Sequence, residues 1–549
     1  MRRFMLILLA IAFAAPLETR AEKPRLIVVI SIDQFPQEYL QRFRTHFVED
    51  GFNRLLTSGA VFTNATLNHA ATLTGPGHAV ISTGTYGHRN GIVGNAWYDR
   101  AAKRNVYCVE DAQTKLIGVP GTGRSPANLT TGTFGDQLRI AGAFHPRVVS
   151  ISGKDRAAIL MGGKLANGAY WMEDSIFTTS TYYMEQLPEW VRAFNMAGHI
   201  NAVFGQTWNR VLPEEEYRFL GSDEQPFEDG GKGLGRTFPH TIAGDNPSKI
   251  TGSFYDALLT SPYGNQLVLE FAKEAIRAEQ LGQRDTTDLL CVSLSSNDYV
   301  GHSYGPHSHE VMDMTLHTDR QLAGFFTYLG ETLGLDNCLI ILTSDHGVGP
   351  VPELLRAKNG RLEAKRVDGA TVREAAGAAL TKAFGAPAKG TAWVEAMSGG
   401  NIYLNREVLL AKKAGVDAAA RLVASAVAEL PTIAGAYATV DLRSQAQEQT
   451  LANLLARAFQ PARNGDVVYA YQAYQFEGGG STGTTHGSPY TYDRHVPVIL
   501  LGPGVRKGVY AEEASPADIA PTLSILTGTE LPPSCEGRVL GEALDSETR

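Results

Sequence analysis

Short β-branched and leucine-rich runs recur along the chain, and three of them stop abruptly at polar clusters. Arg25–Ile32 stops at Asp33, Leu289–Leu294 at Ser296-Asn297-Asp298, and Leu339–Thr343 at Ser344-Asp345-His346, while Val496–Leu501 is a fourth run of the same form. Apolar runs of this length, without alternation, predict strands buried on both faces. Between them, Gly264–Leu281 and Val311–Leu333 carry apolar residues at helical spacing. Such strands alternating with amphipathic helices predict an α/β fold with a mainly parallel central sheet and helices on both faces. Functional side chains in these sheets gather at the carboxyl ends of strands, so the three polar clusters are expected along one edge.

Two stretches interrupt this rhythm. Residues 163–262 are rich in aromatics, including Trp171, Tyr182, Tyr183 and Trp190, and residues 350–480 hold the Ala-rich helical patterns Thr371–Phe384 and Val416–Leu430 before Gly478-Gly479-Gly480. Both read as insertions in one catalytic unit spanning 22–549, and Pro516–Leu526 reads as a final helix. For Trp171, Tyr182 and Tyr183, core packing is favoured over a role lining a pocket.

The start of the chain alters the expected compartment. Met1-Arg2-Arg3, an apolar run from Phe4 to Ala15 and small residues up to Ala21 form a secretory signal pattern over residues 1–21. About 12 apolar residues fall short of the roughly 20 that span a bilayer, so no stable membrane anchor is expected. No Cys follows the run, which argues against a lipid anchor. The expected location is the periplasm or the outside of the cell, where disulfides are permitted. Cys291 and Cys338 each lie seven residues before an Asp of a strand-end cluster. If their runs are neighbouring parallel strands, the thiols lie side by side; the alternative is two buried free cysteines, with Cys108 and Cys535 unassigned. The 549 residues carry a formal charge of −8 and 19% charged residues, which argues against a nucleic-acid binder. An anionic substrate must then be drawn by local positive charge.

The candidate chemistry is a pair of metal sites. Asp33, Asp298, His302, Asp345, His346 and His486 are hard oxygen and imidazole ligands at the ends of predicted strands or, for His486, in the loop Gly483-Thr484-Thr485-His486-Gly487. Asp298 and His302 are four apart, one helical turn. Three Asp and three His divide into two three-ligand sets, each leaving a position for substrate or water, which is the catalytic pattern of zinc; such sets also suit manganese, iron or cobalt. His307 and His309 are nearby candidates that fit an exposed loop better. Thr74, in Thr72-Leu73-Thr74-Gly75-Pro76-Gly77-His78-Ala79, is expected near a helix N-terminus, where backbone N–H groups favour an anion. Its hydroxyl becomes nucleophilic only when a base or a metal lowers its pKa. Lys154 and Arg156, two apart, point to one side of an extended chain.

With these residues in view, the mature chain resembles the alkaline phosphatase superfamily, and within it the phosphate-irrepressible, PafA-type bacterial alkaline phosphatases. The matching segments are Ile32-Asp33-Gln34, Thr74 to His78, Gly94-Asn95-Ala96-Trp97, Ser152 to Ala158, Asn297 to His302, Ser344 to Gly347 and Thr485-His486-Gly487, in family order. The resemblance implies an alkaline-phosphatase-like three-layer sandwich, a return to the main sheet after Val496, and two Zn2+. It implies that Asp298, His302 and His486 bind one zinc and Asp33, Asp345 and His346 the other, with Thr74 as its nucleophilic ligand. The implied reaction is hydrolysis of small phosphate monoesters through a phosphothreonine, with Asn95, Lys154 and Arg156 binding the phosphoryl oxygens. Asn95 can donate through its amide, Lys154 is a compact cation, and Arg156 offers a planar fork. The first rival is a phosphodiesterase or nucleotide pyrophosphatase of the same superfamily, whose less charged substrate leaves Lys154 and Arg156 superfluous. A sulfatase is disfavoured, since no C/S-x-P-x-R pattern surrounds Thr74. A secreted binding protein that keeps the metals without turnover is disfavoured by the intact hydroxyl and six ligands.

Overall fold

The structure, a computed structural model, describes residues 23–360, 362–442, 450–478 and 480–545. The signal segment expected at 1–21 and the central Gly479 lie outside the described residues.

Nine strands form the main sheet: β1 (Leu26–Ile32), β2 (Ala60–Ala65), β3 (Val148–Ser152), β4 (Gly168–Glu173), β5 (Ile176–Thr178), β6 (Asp288–Leu294), β7 (Cys338–Thr343), β8 (Val498–Leu501) and β9 (Gly508–Ala514). Their order across the sheet is β9-β2-β8-β7-β1-β6-β3-β4-β5. Every residue of β1, β6 and β7 is buried, as expected for strands covered on both faces. Alternate residues of β1 divide between two cores. Leu26, Val28, Ile30 and Ile32 join the cluster that includes Val268 and Phe271 of the helix Pro262–Ala278 and Leu322 and Phe325 of the helix His309–Leu333. Ile27 and Val29 join the opposite cluster, with Phe134, Leu138, Ile519 and Leu523.

Register explains why the polar clusters meet. β1 runs parallel to both neighbours, with Ile32 opposite Leu294 of β6 and Ser31 opposite Thr343 of β7. The three strands therefore end together, and the residues that follow them emerge at one edge. The sheet is mixed but mostly parallel. β8 runs antiparallel to both β7 and β2, because the chain reaches it from the His486 loop, already at that edge, with no crossover to carry it back.

The disulfide geometry entertained from spacing does not arise. β6 and β7 are not neighbours, since β1 lies between them; Cys291 is opposite Val29 and Cys338 opposite Leu26. All four cysteines are free.

Residues 168–178 supply β4 and β5, so this part of the aromatic stretch belongs to the edge of the main sheet. Trp171 is 1% exposed in a satellite core with Trp97 and Ile159, and the Tyr183 hydroxyl donates to the Gly163 carbonyl. Between residues 365 and 477, a four-stranded antiparallel sheet (Val394–Ser398, Asn401–Leu404, Val467–Tyr471, Ile433–Ala438) packs with the helices Ala370–Phe384 and Val416–Ala428 around a core of its own. Among the described residues no helix is long and apolar enough to cross a membrane.

Candidate active site

Two groups of possible metal ligands form at the strand-end edge. One is Asp33, Asp345 and His346; the other is Asp298, His302 and His486. Asp33 follows β1 and Asp345-His346 follows β7, so their position is set by sheet register. Asp298 and His302 lie one turn apart on the helix Ser296–Tyr304, which starts directly after β6. His486 arrives from the loop beyond the inserted sheet.

The three imidazoles are oriented in the same way. Nδ1 of His302 donates to the Thr484 carbonyl (2.7 Å), Nδ1 of His486 to the Thr72 carbonyl (2.7 Å) and Nδ1 of His346 to the Gly347 carbonyl (2.9 Å). Each ring thus turns Nε2 towards the carboxylates, the orientation a metal-ligating histidine takes from its second hydrogen bond. His346 Nε2 lies 3.4 Å from Asp33 Oδ1 and 3.3 Å from Asp345 Oδ2. These three atoms are buried and without a hydrogen-bond partner. Burial pushes His346 down to about 3, so its Nε2 is an unprotonated lone pair facing two carboxylate oxygens. Burial and the neighbouring Asp345 carboxylate also raise the Asp33 pKa well above the usual carboxylate range, so crowding these buried acceptors together is costly and a bound cation would relieve that cost. The residues present therefore fit a divalent metal.

The second group is looser. His302 and His486 approach Asp298 Oδ1 at 3.2 and 3.5 Å, and the His302 side chain is 35% exposed against 5% for His486. Burial lowers the His486 pKa; it also works against charge on His302, but the Asp298 carboxylate prevails and raises it. The His346 and His486 rings stack at 3.6 Å, which joins the two groups.

Thr74 opens the helix Thr74–Thr83. The capping position falls to Leu73, which offers no side-chain oxygen, so the Thr74 hydroxyl is not spent as a cap. Instead it accepts from Arg156 Nη2 at 3.3 Å. The helix can reach this point only because of Gly77: a Cβ there would stand 2.2 Å from the Asp345 carbonyl oxygen. Asn95 accepts from the Gly75 N–H at 2.7 Å through Oδ1, which leaves its amide N–H groups to face elsewhere. Lys154 is 4% exposed, and its ammonium lies 2.7 Å from Asp33 Oδ2 and 2.5 Å from Asp298 Oδ2, one carboxylate from each group. Burial opposes its charge, but those two carboxylates outweigh burial and raise its pKa. All ten residues singled out from sequence meet in one constellation.

His309 is a correction. It is buried rather than in an exposed loop, pairs with Asp223 at 3.2 Å and contacts the Gly221 carbonyl at 3.1 Å. Neither it nor the half-buried His307 joins a ligand group.

Three further residues escaped sequence reasoning. Gln34, with φ 60°, donates from Nε2 to Asp298 Oδ1 (2.7 Å) and from its backbone N–H to Asp345 Oδ1 (3.2 Å), tying the groups together. Gly301 admits it, since a Cβ there would stand 1.8 Å from Gln34 Oε1. His78 lies 3.2 Å from Asp345 Oδ2 and also contacts the Thr74 carbonyl and Ser293 Oγ. Its spacing of four from Thr74 was the available signal. The Tyr107 hydroxyl accepts from Arg156 Nη1 (3.2 Å) and donates to Asp155 Oδ1 (2.5 Å), with no local signal in the sequence.

The chain is similar over most of its length to known proteins. The family described as type I phosphodiesterase / nucleotide pyrophosphatase matches residues 27–470. The chain is 37% identical over 536 residues (95% of this chain, 93% of the relative) to the alkaline phosphatase PhoV of Synechococcus elongatus. It is 32% identical over 533 residues (95% of each) to the alkaline phosphatase PafA of Elizabethkingia meningoseptica. The crystal structure of wild-type PafA matches with a TM-score of 0.88 at 31% identity, covering 95% of this chain and 99% of that one. The chain belongs to the alkaline phosphatase superfamily, which bears out the resemblance carried by the motifs. Within it, the chain stands with the bacterial alkaline phosphatases, as a metal-dependent phosphatase of that group.

Proposed function

We propose that the protein hydrolyses small phosphate monoesters through a covalent phosphothreonine at Thr74, beside two zinc ions. The observation that carries this reading is that Lys154 bridges the two ligand groups while Arg156, two residues on, donates to the Thr74 hydroxyl. A monoester carries two negative charges over three non-bridging oxygens, and its transfer is catalysed mainly by positioned positive charge and donors.

Asp33, Asp345 and His346 would hold one zinc and Asp298, His302 and His486 the other; when bound, such ions would lower the pKa of a coordinated hydroxyl and offset charge on a departing oxygen. Thr74 attacks phosphorus in line, forming a new P–O bond as the bond to the leaving oxygen breaks. Arg156 spans two oxygens with its fork, Asn95 donates from its amide, and Lys154 brings a point charge. Water then attacks the phosphothreonine; its oxygen bonds to phosphorus as the Thr74 Oγ1–P bond breaks, inorganic phosphate leaves, and a proton of the water restores the Thr74 hydroxyl. The Met1–Ala21 pattern supports export to the periplasm or beyond.

The phosphodiesterase reading shares Thr74 and both ligand groups. A diester presents one charge fewer, so two cations at the phosphoryl site favour the monoester. The test is p-nitrophenyl phosphate against bis-p-nitrophenyl phosphate. The wild-type protein should turn over the monoester far faster, and Lys154→Ala or Arg156→Ala should cut kcat/KM for the monoester by about 100-fold, the loss of a buried charged hydrogen bond, and the diester by much less. Equal losses on the two substrates, or faster diester turnover, overturn the assignment.

A further inference from the structure

A cleft of about 320 Å3 opens beside the site, between the loops that flank Thr74, Asn95 and His486 and the inserted four-stranded sheet. Its near wall includes Leu73, directly before Thr74, the Gly94 and Ala96 neighbours of Asn95, and His486. Its far wall comes from the insertion, with Tyr469, Tyr471 and Phe476 facing Trp97 of the main body.

In an in-line displacement the departing oxygen lies opposite the attacking one. On the proposed reading Thr74 is a ligand at the Asp33 group, so the departing oxygen would be at the Asp298 group, of which His486 is the member that reaches the cleft wall. The organic part of the substrate then extends into the cleft; this step rests on the monoesterase reading given above. Trp97 and Tyr469 are 5% and 4% exposed, so the aromatic surface open to a planar group comes mainly from the half-buried Tyr471 and Phe476. The volume sits at the small end of the range for ligand pockets, about 300 Å3, enough for one ring system. Charge selects further. Among the described residues lining the cleft, Glu477 is the one carboxylate and none is Lys or Arg. Glu477 is exposed and approaches the Tyr471 hydroxyl at 3.3 Å through Oε2. A leaving group with its own negative charge meets this carboxylate at the cleft wall.

We infer that this cleft is a leaving-group subsite that favours planar, uncharged aromatic alcohols and selects against anionic ones. The test uses benzyl, methyl and 4-carboxybenzyl phosphates, whose parent alcohols are of similar acidity, so that rate differences report contacts and not leaving-group chemistry. In the wild-type protein kcat/KM for benzyl phosphate should exceed that for methyl phosphate by about tenfold, which corresponds to about 1.4 kcal/mol of aromatic contact. Phe476→Ala should collapse that ratio towards one. A variant that merely lost folded protein lowers both rates together, so the ratio is its own control. 4-Carboxybenzyl phosphate should run about threefold to tenfold slower than benzyl phosphate, and Glu477→Gln should close that gap. A benzyl-to-methyl ratio near one, or a ratio unmoved by Phe476→Ala, overturns the aromatic subsite; a gap that Glu477→Gln leaves in place overturns the charge selection. Failure of the monoesterase reading looks different: methyl and benzyl phosphates are then both poor substrates beside their diesters.

Discussion

Asp33, Asp345 and His346 are wholly buried at the ends of two paired strands, while His302 and His486 come from a helix and a loop, with His302 one-third exposed. The first group inherits its geometry from a register fixed by seven paired positions on one side of β1 and six on the other. The second must be assembled: a helix delivers Asp298 and His302, and a loop delivers His486 only after the inserted sheet is in place. Binding free energy at the assembled group therefore includes the cost of ordering that loop. The buried group is preformed, and the assembled one is where affinity and exchange are set.

The largest effect expected from this contrast is on metal release. A chelator should remove metal in two phases, the first from the Asp298 group and the second, slower, from the Asp33 group. Activity should fall with the first phase. The metal contributes several kcal/mol of transition-state stabilisation, which amounts to about a thousandfold in rate. Stopped samples assayed for residual metal and for p-nitrophenyl phosphate hydrolysis give both curves. A single phase, or activity that tracks only the slower one, means that the two groups do not differ as described.

A smaller effect comes from two glycines that guard one group each. At Gly77 a Cβ meets the Asp345 backbone, 2.2 Å from its carbonyl oxygen, and a strand end locked in register cannot withdraw. Gly77→Ala should cost about 3 kcal/mol of stability, the upper range for an overpacked core, and disturb the buried group. At Gly301 the Cβ meets only the end of the Gln34 side chain. Gly301→Ala should cost about 1 kcal/mol of stability yet weaken metal binding at the Asp298 group by about 10–100-fold, as loss of a supporting hydrogen bond does. Denaturant unfolding and metal titration of the two variants separate these outcomes. If Gly301→Ala destabilises as much as Gly77→Ala, the assembled group is no softer than the buried one.

The same contrast governs what sequence alone reveals. Asp33, Asp345 and His346 were legible because a continuously apolar run ending in an acid is a local pattern, and parallel strands force such ends together. Lys154 and Arg156 were legible only through the family resemblance, since a lone pair of cations otherwise reads as solvated surface. Register was not legible: nothing in the runs around Cys291 and Cys338 says that β1 separates them, nor that β8 runs against its neighbours. Gln34, Tyr107 and the aromatic cleft act across separations such as the 264 residues between Gln34 and Asp298, which leave no periodicity to read.

The smallest effect sharpens the comparison most, because one residue touches both groups by different means. Gln34 bonds the buried group through its backbone N–H, which any non-proline residue keeps, and the assembled group through its side chain. Gln34→Ala should thus leave the Asp33 group intact and lower metal affinity at the Asp298 group by about tenfold, at the low end for a lost supporting bond. A left-handed φ of 60° costs a residue with a Cβ about 1 kcal/mol relative to glycine. Gln34→Gly relieves that strain while losing the same side-chain bond, so it should match Gln34→Ala in metal affinity yet exceed it in stability. Should Gln34→Gly bind metal as the wild type does, the side-chain bond does not support Asp298; should the alanine variant weaken both groups equally, the two groups act as one unit and the contrast between them fails.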